Sequence, residues 1–457
     1  MDVRDVDVRG AQAAAPRWDC HAGTVVGWRE DGLVRATGIR YARAERYQHP
    51  VAEPPSGAPV TATSWSPASP QHPVPVIDDL VRSTRALGVD EHCQRLSVTA
   101  PADARPGDGL PVMVWLHGGS YVCSAGDAEA YDPAALVREQ RVVVVAVTYR
   151  LGLLGYLGGV DGRPANLGLL DQVEALRWVR RNIAAFGGDA GCVTVFGESA
   201  GGDSAVHLLV ADGAEGLVRR AVVQSAPLGV ARGRAGMAAT MAAATASLPL
   251  DAGVGDLLHA QRRVQRLALR HGLVAVMPFG VQYGEHPLPP EGDMDRALER
   301  VAPDVDLMVG RNSREAVLFV LAVPLLSRAL RSPLTGPFVE RGLVRPLTRR
   351  IYGTAADDLA ERHRRAGGRG CTYLVTWGAP GNPYRGGHGC ELPLLLGSRE
   401  VWEGGPLVEG ARWEDVAAQG RVLRGLWAGF ARHGTVPTQS HPGLIEVTEL
   451  RPGASAT

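Results

Sequence analysis

Between Val193 and Gly202 the chain reads Val-Thr-Val-Phe-Gly-Glu-Ser-Ala-Gly-Gly, an order that few backbones accommodate. Three β-favouring residues, Val193, Thr194 and Val195, lead into Gly197-Glu198-Ser199-Ala200-Gly201, after which residues 204–210 read as a helix. A strand must therefore pass into a helix around one serine. Glycines two places to either side let the two elements cross closely. The turn holds Ser199 in a strained conformation with its hydroxyl clear of the backbone. The five-residue pattern alone is weak evidence, because in a chain with 57 glycines chance supplies about 0.3 matches. Its surroundings carry the argument.

Leu110-Pro-Val-Met-Val-Trp-Leu116 and Val142-Val-Val-Val-Ala-Val147 are continuous apolar runs, as expected of strands covered on both faces in a parallel sheet. Further strands are predicted at 221–225, 306–310 and 372–377. Val173, Leu176, Val179, Ile183 and Phe186 recur at three- and four-residue steps and predict a helix over 170–186 that stops at Gly187-Gly188. Val416, Val422, Leu426 and Phe430 predict another over 414–433, stopping at Gly434. Alternating strands and helices specify an α/β fold, a mostly parallel sheet flanked by helices. Ahead of it, runs at 23–27 and 33–38 predict a small N-terminal antiparallel sheet, and the Pro- and Ser-rich stretch 50–75 an ordered loop. Residues 231–276, rich in Ala, Leu and Arg, predict a short helical cap over the active site. No linker-like tract divides the 457 residues, so one domain spanning 1–457 is expected, with the cap-like insertion around 231–276.

Lys and Arg total 48, as do Asp and Glu, and the zero net charge gives no electrostatic case for nucleic acid or anionic membranes as partners. Every one of those bases is arginine, which excludes a lysine Schiff base or a Ser-Lys dyad. Residues 1–10 are charged and lack the apolar segment of a signal peptide. No apolar run approaches the roughly 18 residues that span a bilayer. These features predict a soluble, cytoplasmic protein. The six cysteines, at 20, 93, 123, 192, 371 and 390, show no metal-ligand spacing and read as small core residues, so neither a metal nor another cofactor is expected.

The motifs together resemble the type-B carboxylesterase family of α/β-hydrolases, which includes para-nitrobenzyl esterases, animal carboxylesterases and cholinesterases. Gly38-Ile-Arg-Tyr41 is similar to the family's G-I-P-Y, and Tyr149-Arg-Leu-Gly152 to N-Y-R-L-G. The series Asn166-Leu-Gly-Leu-Leu-Asp-Gln172, Ala175-Leu-Arg-Trp-Val179 and Phe186-Gly-Gly-Asp189 leads into the Ser199 turn, and Trp427-Ala-Gly-Phe-Ala-Arg-His-Gly434 resembles the closing helix.

Nucleophilic ester cleavage needs a base for the serine proton, a carboxylate to orient that base, and donors for the oxyanion. The resemblance implies each by position. Gly386-Gly-His-Gly-Cys-Glu-Leu-Pro393, similar to G-x-H-x-x-E-L-P, makes His388 the base. Val309-Gly-Arg-Asn-Ser-Arg-Glu-Ala316, similar to G-x-x-x-D-E-G, makes Glu315 the acid, with Arg314 and Ala316 standing where Asp and Gly are usual. Backbone N–H groups of Gly119, Ser120 and Ala200 would form the oxyanion hole, with Gly118, Glu198 and Ser225 supporting the site. Arg314 poses an alternative, since it could draw Glu315 into an ion pair. Ser69 stands where secreted relatives carry a cysteine paired with the one at Cys93, so that bridge is not expected. The stretch from Ser69 to Cys93 holds no Trp to cage a quaternary ammonium, against a cholinesterase. The resemblance thus implies a serine hydrolase acting on a small, apolar carboxylic ester. Acyl transfer, lactone chemistry, or a catalytically inactive binding protein on the same fold are the alternatives.

Overall fold

Both continuous apolar runs lie inside an eleven-stranded sheet in the computed structural model, which describes residues 14–81 and 87–452. In chain order the strands are β1 (Trp28–Glu30), β2 (Leu33–Arg40), β3 (Arg95–Pro101), β4 (Leu110–Leu116), β5 (Val143–Thr148), β6 (Gly188–Glu198), β7 (Arg220–Gln224), β8 (Asp306–Asn312), β9 (Gly370–Val375), β10 (Gln439–His441) and β11 (Ile445–Leu450). Their spatial order is β10-β11-β9-β8-β7-β6-β4-β5-β3-β2-β1. From β5 to β9 the pairs are parallel, with Val112 of β4 opposite Val143 on one side and Val193 on the other. Antiparallel pairs finish both edges. Val112, Met113, Val114, Trp115 and Leu116 are all buried, as are Val143 to Val147, because helices cover both faces.

The N-terminal region departs from expectation. Gly23–Val26 does sit in a small sheet, antiparallel to Arg17–Cys20 and parallel to Val60–Thr61. The run beginning at Leu33 instead forms β2 and pairs with β3 in the main sheet. Leu33, Val34, Arg35, Ala36 and Thr37 are buried in succession, which a two-sided small sheet would not provide.

The helix over Leu167–Asn182 begins three residues earlier than its periodicity suggests and ends in a 3-10 turn, Ile183–Phe186, before Gly187. Two of the quoted motifs meet here. Arg150 donates to both carboxylate oxygens of Asp171, from Nε at 2.8 Å and Nη2 at 2.7 Å, with both side chains buried. Removing either partner would strand a buried charge, so the pair locks the exit of β5 to this helix. The closing helix spans Trp413–His433 and stops at Gly434 as anticipated.

Residues 231–276 contain helices Ala235–Thr245 and Val254–Ala268 and a 3-10 turn, Leu269–Val276. A second helical segment, unread in the sequence, runs through Val317–Leu321, Pro324–Arg331 and Gly336–Val339 and on to Thr354–Arg365. All six cysteines are free, and Cys93 hydrogen-bonds the Ser69 side chain at the position of the anticipated missing bridge. Among the described residues no helix is long and apolar enough to cross a membrane. Residues 1–10, on which the reading of the leader rests, lie outside the described residues.

Candidate active site

β6 ends at Glu198 and the helix Ala200–Leu208 begins two residues later, leaving Ser199 as the hinge with φ 57° and ψ −120°. For a residue with a side chain this is a strained backbone, held because both flanking elements are fixed. Gly201 is forced by the crossing: a Cβ there would lie 1.9 Å from the Leu116 carbonyl oxygen at the end of β4. The Ser199 amide donates to the Gln224 carbonyl at 2.9 Å. One strand along, the Ser225 amide donates to Gly310, and one further, Ser313 to Val375, each also at 2.9 Å. Hydrogen bonding thus continues past the regular ends of β6, β7 and β8 through three serines.

The turn after β4 faces this hinge. Gly118 packs so tightly that a Cβ would meet Glu198 Oε2 at 2.8 Å and Ser199 Cβ at 3.3 Å. Gly119 and Ser120 both take positive φ, 98° and 53°. Ala200, as the first helical residue, has an amide without an intrahelical acceptor. Ser120 adopts left-handed backbone despite its side chain.

His388 arrives on the loop after β9. Its Nδ1 lies 2.6 Å from Glu315 Oε2, and the other oxygen of Glu315 accepts the Asn312 amide at 2.6 Å. Glu315 is fully buried. Arg314 turns away from it: its guanidinium donates to Glu340 at 2.8 Å and to the Arg385 carbonyl at 3.0 Å. The competing ion pair therefore goes to a residue 26 positions along, and Glu315 is left to the imidazole.

Three further groups surround the imidazole. Glu198 Oε1 lies 3.0 Å from His388 Nε2. Glu391 is buried beneath, receiving the Asn312 side-chain amide at 2.6 Å. Ser225 Oγ reaches that same amide at 3.4 Å, so it touches Asn312 rather than Glu315 itself. Glu391 and Asn312 stood inside the quoted motifs without a role being assigned to them; an extra carboxylate and amide flanking the His and Glu were the available signal.

The electrostatics follow from burying three carboxylates around one histidine. Burial pushes the Glu198 carboxyl up to about 8, against the opposing pull of His388. Burial also disfavours the His388 cation, but the charges of Glu198 and Glu315 outweigh it and raise the imidazole to about 9. Burial and then the charge of Glu315 raise Glu391.

Ser199, His388, Glu198, Gly119 and Ser120 line one cavity of about 290 Å³. Its remaining walls are apolar: Ile77 and Leu80 from the helix Pro75–Val81, Leu318 and Phe319 from the second helical segment, and Met277 beyond the cap helices. Tyr352 lies tilted against His388, with ring centroids 5.1 Å apart. The site thus gathers a serine, an imidazole, a buried carboxylate and backbone amides around an apolar volume, a set that acyl transfer could use. Among the described residues no cluster of His, Cys, Asp and Glu could hold a metal ion.

The model of the Carboxylesterase family matches residues 16–331. The chain is 36% identical over 411 residues to the probable N-octanoylanthranilate hydrolase AqdA2 of Rhodococcus erythropolis, covering 89% of this chain and 90% of that protein. It is 30% identical to the para-nitrobenzyl esterase of Bacillus subtilis (strain 168), covering 92% and 90%. Among solved structures, a thermophilic PNB esterase superposes with a TM-score of 0.76 at 26% identity, covering 95% of this chain and 98% of that one. The α/β-hydrolase fold built around the Ser199 turn and the length over which these relatives align lead to one assignment: the chain belongs to the carboxylesterase family and is a carboxylic ester hydrolase.

Proposed function

We propose that the chain cleaves apolar carboxylic esters through an acyl-enzyme on Ser199. The observation that carries this reading is the placement of His388, bound to Glu315 through Nδ1 and sharing one cavity with the strained Ser199. His388 Nε2 exchanges Glu198 for Ser199 Oγ and takes its proton as Oγ bonds to the ester carbonyl carbon. The carbonyl oxygen becomes an oxyanion that the amides of Gly119, Ser120 and Ala200 stabilise. His388 then protonates the departing alkoxide, leaving the acyl group on Ser199. Water adds by the same route, and the carboxylic acid leaves. Glu315 holds the imidazole tautomer throughout and favours the imidazolium formed at each step.

The apolar walls favour esters with aliphatic or aromatic groups, and the octanoyl group in the Rhodococcus relative's name is aliphatic. Residues 231–276 act in this reading as a cap within a single domain, bringing Val276 to the cavity. A fluorophosphonate probe tests the mechanism: adduct formation at Ser199, located by peptide mass spectrometry, is expected. An unlabelled serine in folded protein would overturn it. A panel of esters graded in chain length tests the substrate class, and a preference for charged or very short acyl groups would overturn that part.

A further inference from the structure

Nine large hydrophobic side chains are exposed among the described residues, and four of them fall within residues 323–338. They are Val323 at 45%, Leu325 at 74%, Leu334 at 82% and Phe338 at 77% exposure. Leu325 and Phe338 sit on the helices Pro324–Arg331 and Gly336–Val339, with Val323 before the first and Leu334 between them, and the two helices are tied together: Thr335 Oγ1 donates to the Ala329 carbonyl at 2.6 Å and the Gly336 amide to the Ser332 carbonyl at 2.8 Å. Their inner side is apolar as well, with Leu326, Leu330 and Val339 packed on Val317, Val320 and Leu321. The protein core has thus been satisfied from one side, and a second apolar surface remains outside. Scattered exposed leucines need no explanation, but four large exposed apolar side chains within sixteen residues, on and beside one packed helix pair, point to an interaction surface.

Its charge identifies the partner. Between residues 323 and 350 there are six arginines, at 328, 331, 341, 345, 349 and 350, all exposed, and one acid, Glu340, which Arg314 already holds. The zero net charge of the whole chain averages over this asymmetry. Exposed Leu and Phe among arginines is the composition that seats a helix at an anionic lipid–water boundary, apolar side chains in the acyl region and guanidinium groups among the headgroups. A second copy docking two-fold on this face would set the same arginines against one another, at a cost in like-charge repulsion.

The patch also continues into the catalytic cavity. Leu318, Phe319 and Ala322 line that cavity, Ala322 is exposed, and Val323 follows it directly. We propose that residues 323–350 form a platform that docks on anionic lipid surfaces, so that apolar substrate dissolved in the lipid enters the cavity at Ala322 without crossing bulk water.

Flotation of the intact protein with lipid vesicles tests this. The protein should float with phosphatidylcholine vesicles containing phosphatidylglycerol and remain behind with phosphatidylcholine alone, with added salt weakening the association. Leu325→Ser with Phe338→Ser should abolish flotation. The triple change Arg328→Gln, Arg341→Gln and Arg349→Gln should lower partitioning on the order of 100-fold, since each basic group near such a surface contributes roughly fivefold. Both variants should still hydrolyse a water-soluble short-chain ester as the unaltered protein does, which shows that they fold. Ser199→Ala should float normally, which separates this inference from the catalytic reading. Failure of the intact protein to float with anionic vesicles, or undiminished flotation of the two surface variants, would overturn the proposal. Light scattering that shows a dimer converted to monomer by Leu325→Ser with Phe338→Ser would instead assign the patch to a second copy of this chain.

Discussion

Glu198 and His388 meet at 3.0 Å, Oε1 to Nε2, on the side of the imidazole that the nucleophile must also reach. Glu198 immediately precedes Ser199 in the chain, so in the proposed mechanism the residue that competes for the base is carried on the same turn as the residue that uses it. The imidazolium cannot accept the serine proton, and the neighbouring carboxylates hold the imidazole protonated above its ordinary range. Activity should therefore rise with pH as His388 loses its proton. Glu198→Gln removes a negative charge that favours the cation, so His388 deprotonates at lower pH. The ascending limb of kcat/KM should move to acid by roughly 1–2 pH units, as expected for loss of one close opposite charge. A limb that stays in place would show that Glu198 does not set the titration of the base.

In the proposed mechanism Glu315 orients the base through Nδ1, and Arg314 does not compete because it is committed to Glu340. Glu315→Gln should leave the fold intact and reduce turnover on the order of 10⁴-fold by favouring the wrong imidazole tautomer. Arg314→Ala should leave kcat and the pH profile nearly unchanged. An alkaline shift of the ascending limb or a gain in activity in Arg314→Ala would mean that the arginine restrains the acid in solution after all.

Ser199 and His388 should behave as a unit. Ser199→Ala and His388→Ala are each expected to lower turnover by roughly 10⁶-fold, with little further loss when combined. Multiplying penalties in the double variant, measured by single-turnover kinetics, would indicate independent roles and a different nucleophile.

Close packing at the elbow gives a stability prediction that is independent of chemistry. Gly201→Ala places a methyl against the Leu116 carbonyl, and should destabilise the protein on the order of 3 kcal/mol or prevent folding. Gly255→Ala, in the exposed first turn of the helix Val254–Ala268 with nothing near the added atom, should be neutral or raise stability by about 0.5–1 kcal/mol. Thermal melts of the two variants decide it; similar melting points would refute the steric account of the elbow.

The parts of the site that were legible in the sequence are those written in a few consecutive residues. The Ser199 turn needs its glycines at fixed offsets, and the apolar run into His117-Gly-Gly-Ser needs its strand, so both announce themselves locally. Glu315 and His388 could be placed only through a family likeness, since nothing near either residue states that their side chains meet 73 positions apart. The Arg314–Glu340 pair was open in the sequence for the same reason: a carboxylate next in the chain competes with one a helix away, and only folding decides. Phe319 and Tyr352 belong to a helical segment whose two π turns, Glu340–Val344 and Arg349–Gly353, blur the periodicity by which a helix is recognised. β3 was missed because Arg95-Leu-Ser-Val-Thr-Ala-Pro101 alternates polar and apolar residues and resembles a surface strand, whereas β2 and β5 cover it on both edges.

The three amide bonds from Ser199, Ser225 and Ser313 make the turns of the candidate site the last rungs of the central sheet rather than loops attached to it. Heat inactivation should then coincide with the cooperative melting of the sheet, with no earlier, local loss of function, because the nucleophile cannot loosen until the strands beneath it do.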